Sequence, residues 1–174
     1  MRTKELESFE ERKPRERKPK SATQALSSLM RLCARSEKSS GDAMRLMRTW
    51  RVPEEECQGV LQKLIDQRFI DDRRYAEAYT REKSSLAGWG RKKIALQLRA
   101  KGVVREIVDE VLASLDSDEQ AERLADKLQR KLRSTKAASE YELRGKLLRY
   151  ALSLGYDYDM ALDAIGRVVS DSDD

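Results

Sequence analysis

The sequence contains no histidine and only two cysteines, Cys33 and Cys57. The lack of histidine excludes Ser-His and Cys-His nucleophile systems and any zinc site that needs imidazole. The two cysteines have no paired spacing, and isolated thiols of this kind usually act as small apolar side chains in a reducing compartment. We therefore expect no enzyme activity, no metal and no cofactor.

Long hydrophobic runs are also missing. No segment approaches the roughly 20 apolar residues that a membrane-spanning helix needs, and the first twenty residues are too polar for a secretory signal. Gly145-Lys146 lacks the following Ser or Thr and the preceding strand of a phosphate-binding loop. The sequence thus predicts a cytoplasmic protein with no membrane partner and no small-molecule substrate.

Proline and glycine are scarce inside the periodic segments, and no run alternates β-branched and aromatic residues as a strand would. Charged and hydrophobic residues each make up 39% of the chain, and only ten residues are aromatic. Such a composition buries narrow apolar stripes better than one large core. The expected fold is all-α and elongated.

What is present is a repeated unit. The apolar positions of residues 52–64 coincide with those of 103–115 at an offset of 51, and Gly155-Tyr156 matches Gly102-Val103 at a further offset of 53. A period of about 50 residues is typical of a helical array. The sequence therefore predicts three tandem three-helix repeats, with helices at 22–38, 42–50, 53–68, 72–87, 91–101, 104–115, 118–137, 140–154 and 157–169.

The helix boundaries follow from local signals. Capping-box spacing joins Ser21 to Gln24, Ser117 to Gln120 and Ser139 to Glu142. The repeats then span residues 22–70, 71–116 and 117–169. A basic tail (1–21) and an acidic tail (170–174) have too little apolar content to fold and are expected to be disordered.

Positive charge concentrates in the middle of the chain. Residues 73–115 hold ten lysines and arginines against five acids, whereas residues 116–174 hold ten against thirteen. A concentrated basic excess favours an acidic partner such as nucleic acid or a nucleoprotein.

The strongest candidates for binding surround a Gly-Trp-Gly turn, residues 88–90. Arg91, Lys92 and Lys93 follow it at a helix start, where the macrodipole disfavours cations by a few tenths to about 1 kcal/mol each. A site that violates local preference is a reasonable candidate for function, because cations there are able to reach a phosphate or carboxylate. The full candidate set, for contact with a protein partner or DNA phosphate, is Arg74, Arg81, Trp89, Arg91, Lys92, Lys93, Leu96 and Arg99.

Residues 69–103 resemble the central signature of the RecX family, bacterial regulators of the RecA recombinase. The resemblance rests on Phe69-Ile70-Asp71-Asp72, Tyr75, Tyr79, the glycine-bounded turn and Lys101-Gly102-Val103. It implies a curved array of three three-helix repeats that lies along the groove of the RecA filament on single-stranded DNA. Members of the family generally restrain filament extension, ATP hydrolysis and strand exchange.

Two other functions remain open from the sequence. A helix-turn-helix within a repeat would make this a DNA-binding protein that acts directly on nucleic acid, although no helix carries the Asn, Gln and Arg mixture of a reading face. The second alternative is a helical adaptor whose partner is a different protein.

Overall fold

The computed structural model describes residues 18–170, and in that range it contains helices and no strands. The helices are α1 (Ala22–Cys33), α2 (Ser40–Thr49), α3 (Glu54–Asp66), α4 (Asp72–Ser85), α5 (Arg91–Ala100), α6 (Arg105–Ala113), α7 (Ser117–Ser134), α8 (Glu140–Ser153) and α9 (Tyr158–Ser170).

The helices pack in threes, and each group of three has its own hydrophobic core. Leu29 and Leu64 lie in the core of α1–α3, Ile94 lies in that of α4–α6, and Leu124 and Leu147 lie in that of α7–α9. Three small cores in series, in place of one large core, follow from the narrow apolar stripes of the sequence. The predicted all-α array of three-helix repeats is confirmed.

Helix α1 is shorter than the sequence suggests. It ends at Cys33, not at residue 38, because residues after it make contacts with α2 and with the next repeat. Ser39 caps the start of α2 by accepting a hydrogen bond from the Asp42 amide, and Glu37 pairs with Arg74 of the next repeat. These contacts stabilise the connecting segment outside a helix.

The predicted caps are correct in two cases out of three. Ser21 and Gln24 form a capping box, and the Ser139 hydroxyl accepts from the Glu142 amide. The cap of α7 is Asp116, not Ser117, because the carboxylate of Asp116 accepts from two backbone amides in the first turn. Those two hydrogen bonds also lower the pKa of Asp116.

Successive repeats meet where the second helix of one contacts the second helix of the next. The Gly90 amide donates to the Leu154 carbonyl at 2.8 Å, and the Ser39 hydroxyl donates to the Lys101 carbonyl at 2.6 Å. The amino end of α5 thus receives the carboxyl end of α8, and the amino end of α2 receives that of α5. This head-to-tail order places opposite ends of the helix dipoles together.

Glycine is required at these joints. Gly102 and Gly155 have φ angles of +81° and +88°, and a Cβ on Gly155 would lie 2.4 Å from the backbone nitrogen of Lys93. The corresponding position of the first repeat, which has no preceding repeat in the described range, is Arg51 with φ +54°. The glycine turn is absent there because no second helix has to approach.

Lys20 packs against the carboxyl end of α2, where no other repeat packs within the described range. Its amide donates to the Trp50 carbonyl at 3.0 Å, and its ammonium lies 3.7 Å from the centroid of the Trp50 ring. The Trp50 carbonyl corresponds to those of Lys101 and Leu154, which accept hydrogen bonds at the joints. The rest of the predicted basic tail, residues 1–17, and residues 171–174 of the acidic tail lie outside the described residues.

Candidate partner-binding surface

The Gly-Trp-Gly turn and the start of α5 belong to the joint between the second and third repeats. Gly88 has a φ of +64°, and Gly90 is the N-cap of α5. The amides of Gly90 and Lys92 donate to the carbonyls of Leu154 and Gly155, at 2.8 and 3.1 Å. Two of the amides that an anion would need at this helix start are already engaged.

The three cations at the start of α5 also have partners within the chain. The Arg91 guanidinium donates to the Leu115 carbonyl, and the Lys93 ammonium donates to the Ser153 carbonyl at 3.2 Å. Lys92 forms an ion pair with Asp157 at 2.9 Å. Acceptors outside α5 therefore give a structural reason for cations at a position that the α5 macrodipole disfavours.

Trp89 lies between two cores. It is half-buried and packs against the clusters of the second and third repeats. The ammonium of Lys93 lies 4.5 Å from the centroid of its ring. The side chain thus seals the joint and keeps only part of its surface exposed.

The two arginines of α4 differ in their surroundings. Arg74 forms a two-pronged pair with Glu37, at 2.7 and 3.1 Å, which links the first and second repeats. Hydrogen bonding to that carboxylate raises the pKa of Arg74. Arg81 forms no ion pair with any described residue and lines an open groove of about 480 Å³ beside α6 and α7.

The solvent-facing side of α5 carries Lys92, Leu96 and Arg99. They stand at i, i+4 and i+7, so they share one face of the helix. Leu96 is 63% exposed, although leucine is one of the residue types most often buried. Arg99 lies 4.0 Å from Asp109, a contact too exposed to immobilise it. We call these three residues the α5 outer face.

The structure therefore separates the eight candidate residues by what they contact. Arg74, Trp89 and Lys93 hold joints between repeats, whereas Arg91 donates within the second repeat. Lys92, Leu96 and Arg99 form the α5 outer face, where Lys92 also pairs with Asp157 of the third repeat. Arg81 lies apart from them on α4.

Sequence reasoning missed the lysines that gather around the turn from other helices. The Lys127 side chain of α7 crosses Gly88 so closely that a Cβ there would lie 1.9 Å from its Cε atom. In the sequence, Lys127 is simply a polar residue on an amphipathic helix, 39 positions away from Gly88. Only the packing of α7 against the turn reveals their proximity.

The described residues contain no group of three or more histidine, cysteine, aspartate or glutamate side chains placed to hold a metal ion. Within residues 18–170, no helix is both long enough and apolar enough to cross a membrane.

Two sequence profiles of RecX domains match the chain. The profile of the second three-helix domain of RecX matches residues 71–112, and that of the third three-helix domain matches residues 118–165. Together they span about half of the 174 residues.

Curated relatives carry the name "Regulatory protein RecX". A Clostridium botulinum protein is 32% identical over 109 residues, which are 62% of this chain and 50% of the relative. One from Mycobacterium sp. (strain KMS) is 34% identical over 110 residues, 61% of this chain and 60% of the relative. The aligned part of this chain thus spans half to three fifths of these relatives. A Streptomyces coelicolor protein is 26% identical over 85% of this chain and 79% of its own length.

Solved structures share the fold. The crystal structure of RecX from Lactobacillus salivarius superposes with a TM-score of 0.71 at 23% identity, covering 84% of this chain and 96% of that one. A second crystal structure, of a regulatory protein RecX, gives 0.70 at 26% identity, covering 80% and 68%.

Proposed function

Because this chain belongs to the RecX family of regulatory proteins, we propose that it restrains the RecA recombinase by binding the RecA filament on single-stranded DNA. Binding would limit filament extension, ATP hydrolysis and strand exchange. The setting would be DNA repair by homologous recombination and the SOS response, in the cytoplasm.

The observation that carries this proposal is the α5 outer face. Exposing Leu96 gains nothing for the fold, since an apolar side chain is more stable when it is removed from water. A leucine flanked by Lys92 and Arg99 on one helix face fits a protein surface that offers an apolar spot among carboxylates. This combination of apolar centre and charged edge is typical of protein interfaces.

The serial arrangement of the repeats supports contact with a polymer. Each repeat packs on the next through its second helix, so the array offers a long surface without a deep pocket. A long surface is able to touch several protomers of a filament, and several weak contacts along a polymer together give high avidity.

The test measures DNA-dependent ATP hydrolysis by preformed RecA filaments during titration with this protein. We expect hydrolysis to fall at substoichiometric protein, because blocking a growing end or a groove acts on many protomers. Leu96→Asp should raise the concentration needed by at least about tenfold, since it places a desolvated charge in the contact.

The matched control is Ile65→Asp on α3, because Ile65 is also exposed, at 39%, but lies in the first repeat. It should inhibit like the wild-type protein, with circular dichroism confirming that both variants are helical. No inhibition by the wild-type protein, together with tight binding to one defined duplex site, would overturn the proposal and favour a direct DNA-binding protein.

A further inference from the structure

Four lysines and two aromatic residues from different helices form a continuous surface across the joint between the second and third repeats. We call it the lysine-aromatic patch, and it consists of Lys83, Trp89, Lys93, Lys127, Lys131 and Tyr150.

Cation-aromatic contacts hold this patch together. The ammonium groups of Lys83 and Lys93 lie 5.5 and 4.5 Å from the centroid of the Trp89 ring. On the other side, the ammonium of Lys131 lies 5.4 Å from the centroid of the Tyr150 ring. Aromatic faces at these distances attract ammonium groups and limit where the lysines lie.

Lys127 connects the two sides. Its stem passes over Gly88, and Lys131 follows one turn later on α7, so the two ammonium groups leave the same helix face. The opposite edge is closed by the Lys93 ammonium, which donates to the Ser153 carbonyl three residues after Tyr150. The six side chains therefore form one surface, although they come from α4, the turn, α5, α7 and α8.

The patch is strongly positive. Lys83 is paired with Glu82 at 2.7 Å, but Lys93, Lys127 and Lys131 form no ion pair with any residue between 18 and 170. Three lysines without an acidic partner in the described range thus belong to one patch, whereas both cations of the α5 outer face have an acidic neighbour. Such an excess attracts a polyanion.

We propose that the lysine-aromatic patch binds the phosphate backbone of single-stranded nucleic acid. Lysines on flexible stems contact phosphates as point charges, and aromatic side chains between them are the usual companions of single-strand binding. The patch holds no Asn, Gln or Arg to read base edges, and its lysines act as point charges, so we expect affinity to depend little on base sequence. This inference rests on the proposed function for its setting, because a strand inside a filament would then contact this chain directly.

The first experiment measures fluorescence anisotropy of a labelled oligothymidylate with the full chain and no RecA. Lys127→Ala combined with Lys131→Ala should weaken binding at least about tenfold. Since each phosphate contact adds about 0.7 to the salt slope of a single strand, the slope should become shallower by about 1.4. The control is Arg31→Ala with Lys63→Ala, which removes from the first repeat two exposed charges that form no ion pair with any residue in 18–170, and it should leave affinity and slope unchanged.

The second experiment uses Trp89 as a reporter. The chain has two tryptophans, so Trp50→Phe leaves the one in the patch. Oligothymidylate should change the Trp89 emission at the concentrations that produce the anisotropy signal, and polyglutamate at equal charge should not. An equal response to polyglutamate, equal loss of binding in the control variant, or tighter binding to duplex DNA would each overturn the assignment.

Failure of this inference is distinguishable from failure of the proposed function. If oligothymidylate does not bind while RecA hydrolysis is still inhibited and still depends on Leu96, the patch assignment is wrong and the filament proposal stands. If oligothymidylate binds through the patch while RecA is unaffected, the patch assignment is supported and the filament proposal is wrong.

Discussion

At the scale of single residues, the joints between repeats depend on glycine. We expect Gly155→Ala to lower the free energy of unfolding by about 2 kcal/mol or more. The φ of +88° alone costs an L-residue about 1–2 kcal/mol, and the new Cβ would meet the backbone of Lys93. Urea unfolding followed by circular dichroism measures the change.

Gly59→Ala provides the control for that measurement. Gly59 lies within α3, and a Cβ there has no atom within 4 Å. Alanine should therefore raise the free energy of unfolding by about 0.5–1 kcal/mol through its higher helix propensity. Equal effects of the two substitutions would contradict the role assigned to Gly155.

Tyr156 gives the fold a dependence on alkaline pH. The side chain is 1% exposed, its hydroxyl donates to the Gly88 carbonyl, and burial raises its pKa to about 12. Because the neutral form is favoured in the folded state, its contribution is complete below the unfolded pKa of about 10 and is lost as the pH rises toward 12.

We expect the free energy of unfolding to fall less steeply between pH 10 and 12 in Tyr156→Phe than in the wild-type protein. The two slopes should differ by up to about 1.4 kcal/mol per pH unit. Chemical denaturation at a series of pH values measures this slope. Tyr75, whose pKa burial also raises to about 12, remains in both proteins and cancels in the comparison. Parallel curves would show that Tyr156 does not ionise with unfolding.

At the scale of helices, two equivalent N-cap serines separate the effect of capping from the effect of a joint. Ser39 is fully buried, caps α2 and also donates to the Lys101 carbonyl. Ser139 is exposed and caps α8, which has no following repeat in the described range. Only the first serine combines the two roles.

Ser139→Ala should cost about 1 kcal/mol, the usual value of an N-cap. Ser39→Ala should cost about 0.5–1.5 kcal/mol more, because the partly buried Lys101 carbonyl loses this donor. The free energies of unfolding of the two variants give the difference directly. A difference near zero would mean that the Ser39 bond adds nothing to the joint.

At the scale of the whole molecule, the repeat and the helix content follow from the sequence because apolar periodicity and caps act locally. The all-α fold and its three-helix units were predictable for this reason. The end of α1 was not predictable, since it depends on Ser39 and on an ion pair between Glu37 and Arg74. Arg74 belongs to a different repeat.

The candidate surface likewise combines features that local sequence predicts with features that depend on contacts between distant residues. Sequence reasoning located the turn and α5, but it had no means of seeing that Arg91 and Lys93 donate to carbonyls outside α5. Reversing the charges of Arg91, Lys92 and Lys93 together, an obvious test from the sequence, would also remove joint contacts. Leu96 is a cleaner probe because its side chain is largely in solvent.

Site-specific photocrosslinking shows whether the α5 outer face contacts RecA in its filament, as we propose. A photoreactive amino acid replaces Leu96 in one protein and Ile65 in a second, and each is irradiated with RecA filaments on single-stranded DNA. We expect a crosslink to RecA from position 96, which excess unlabelled protein removes, and much less from position 65. If position 96 gave no RecA crosslink in a protein that still inhibits ATP hydrolysis, RecA would be bound by another surface of this protein.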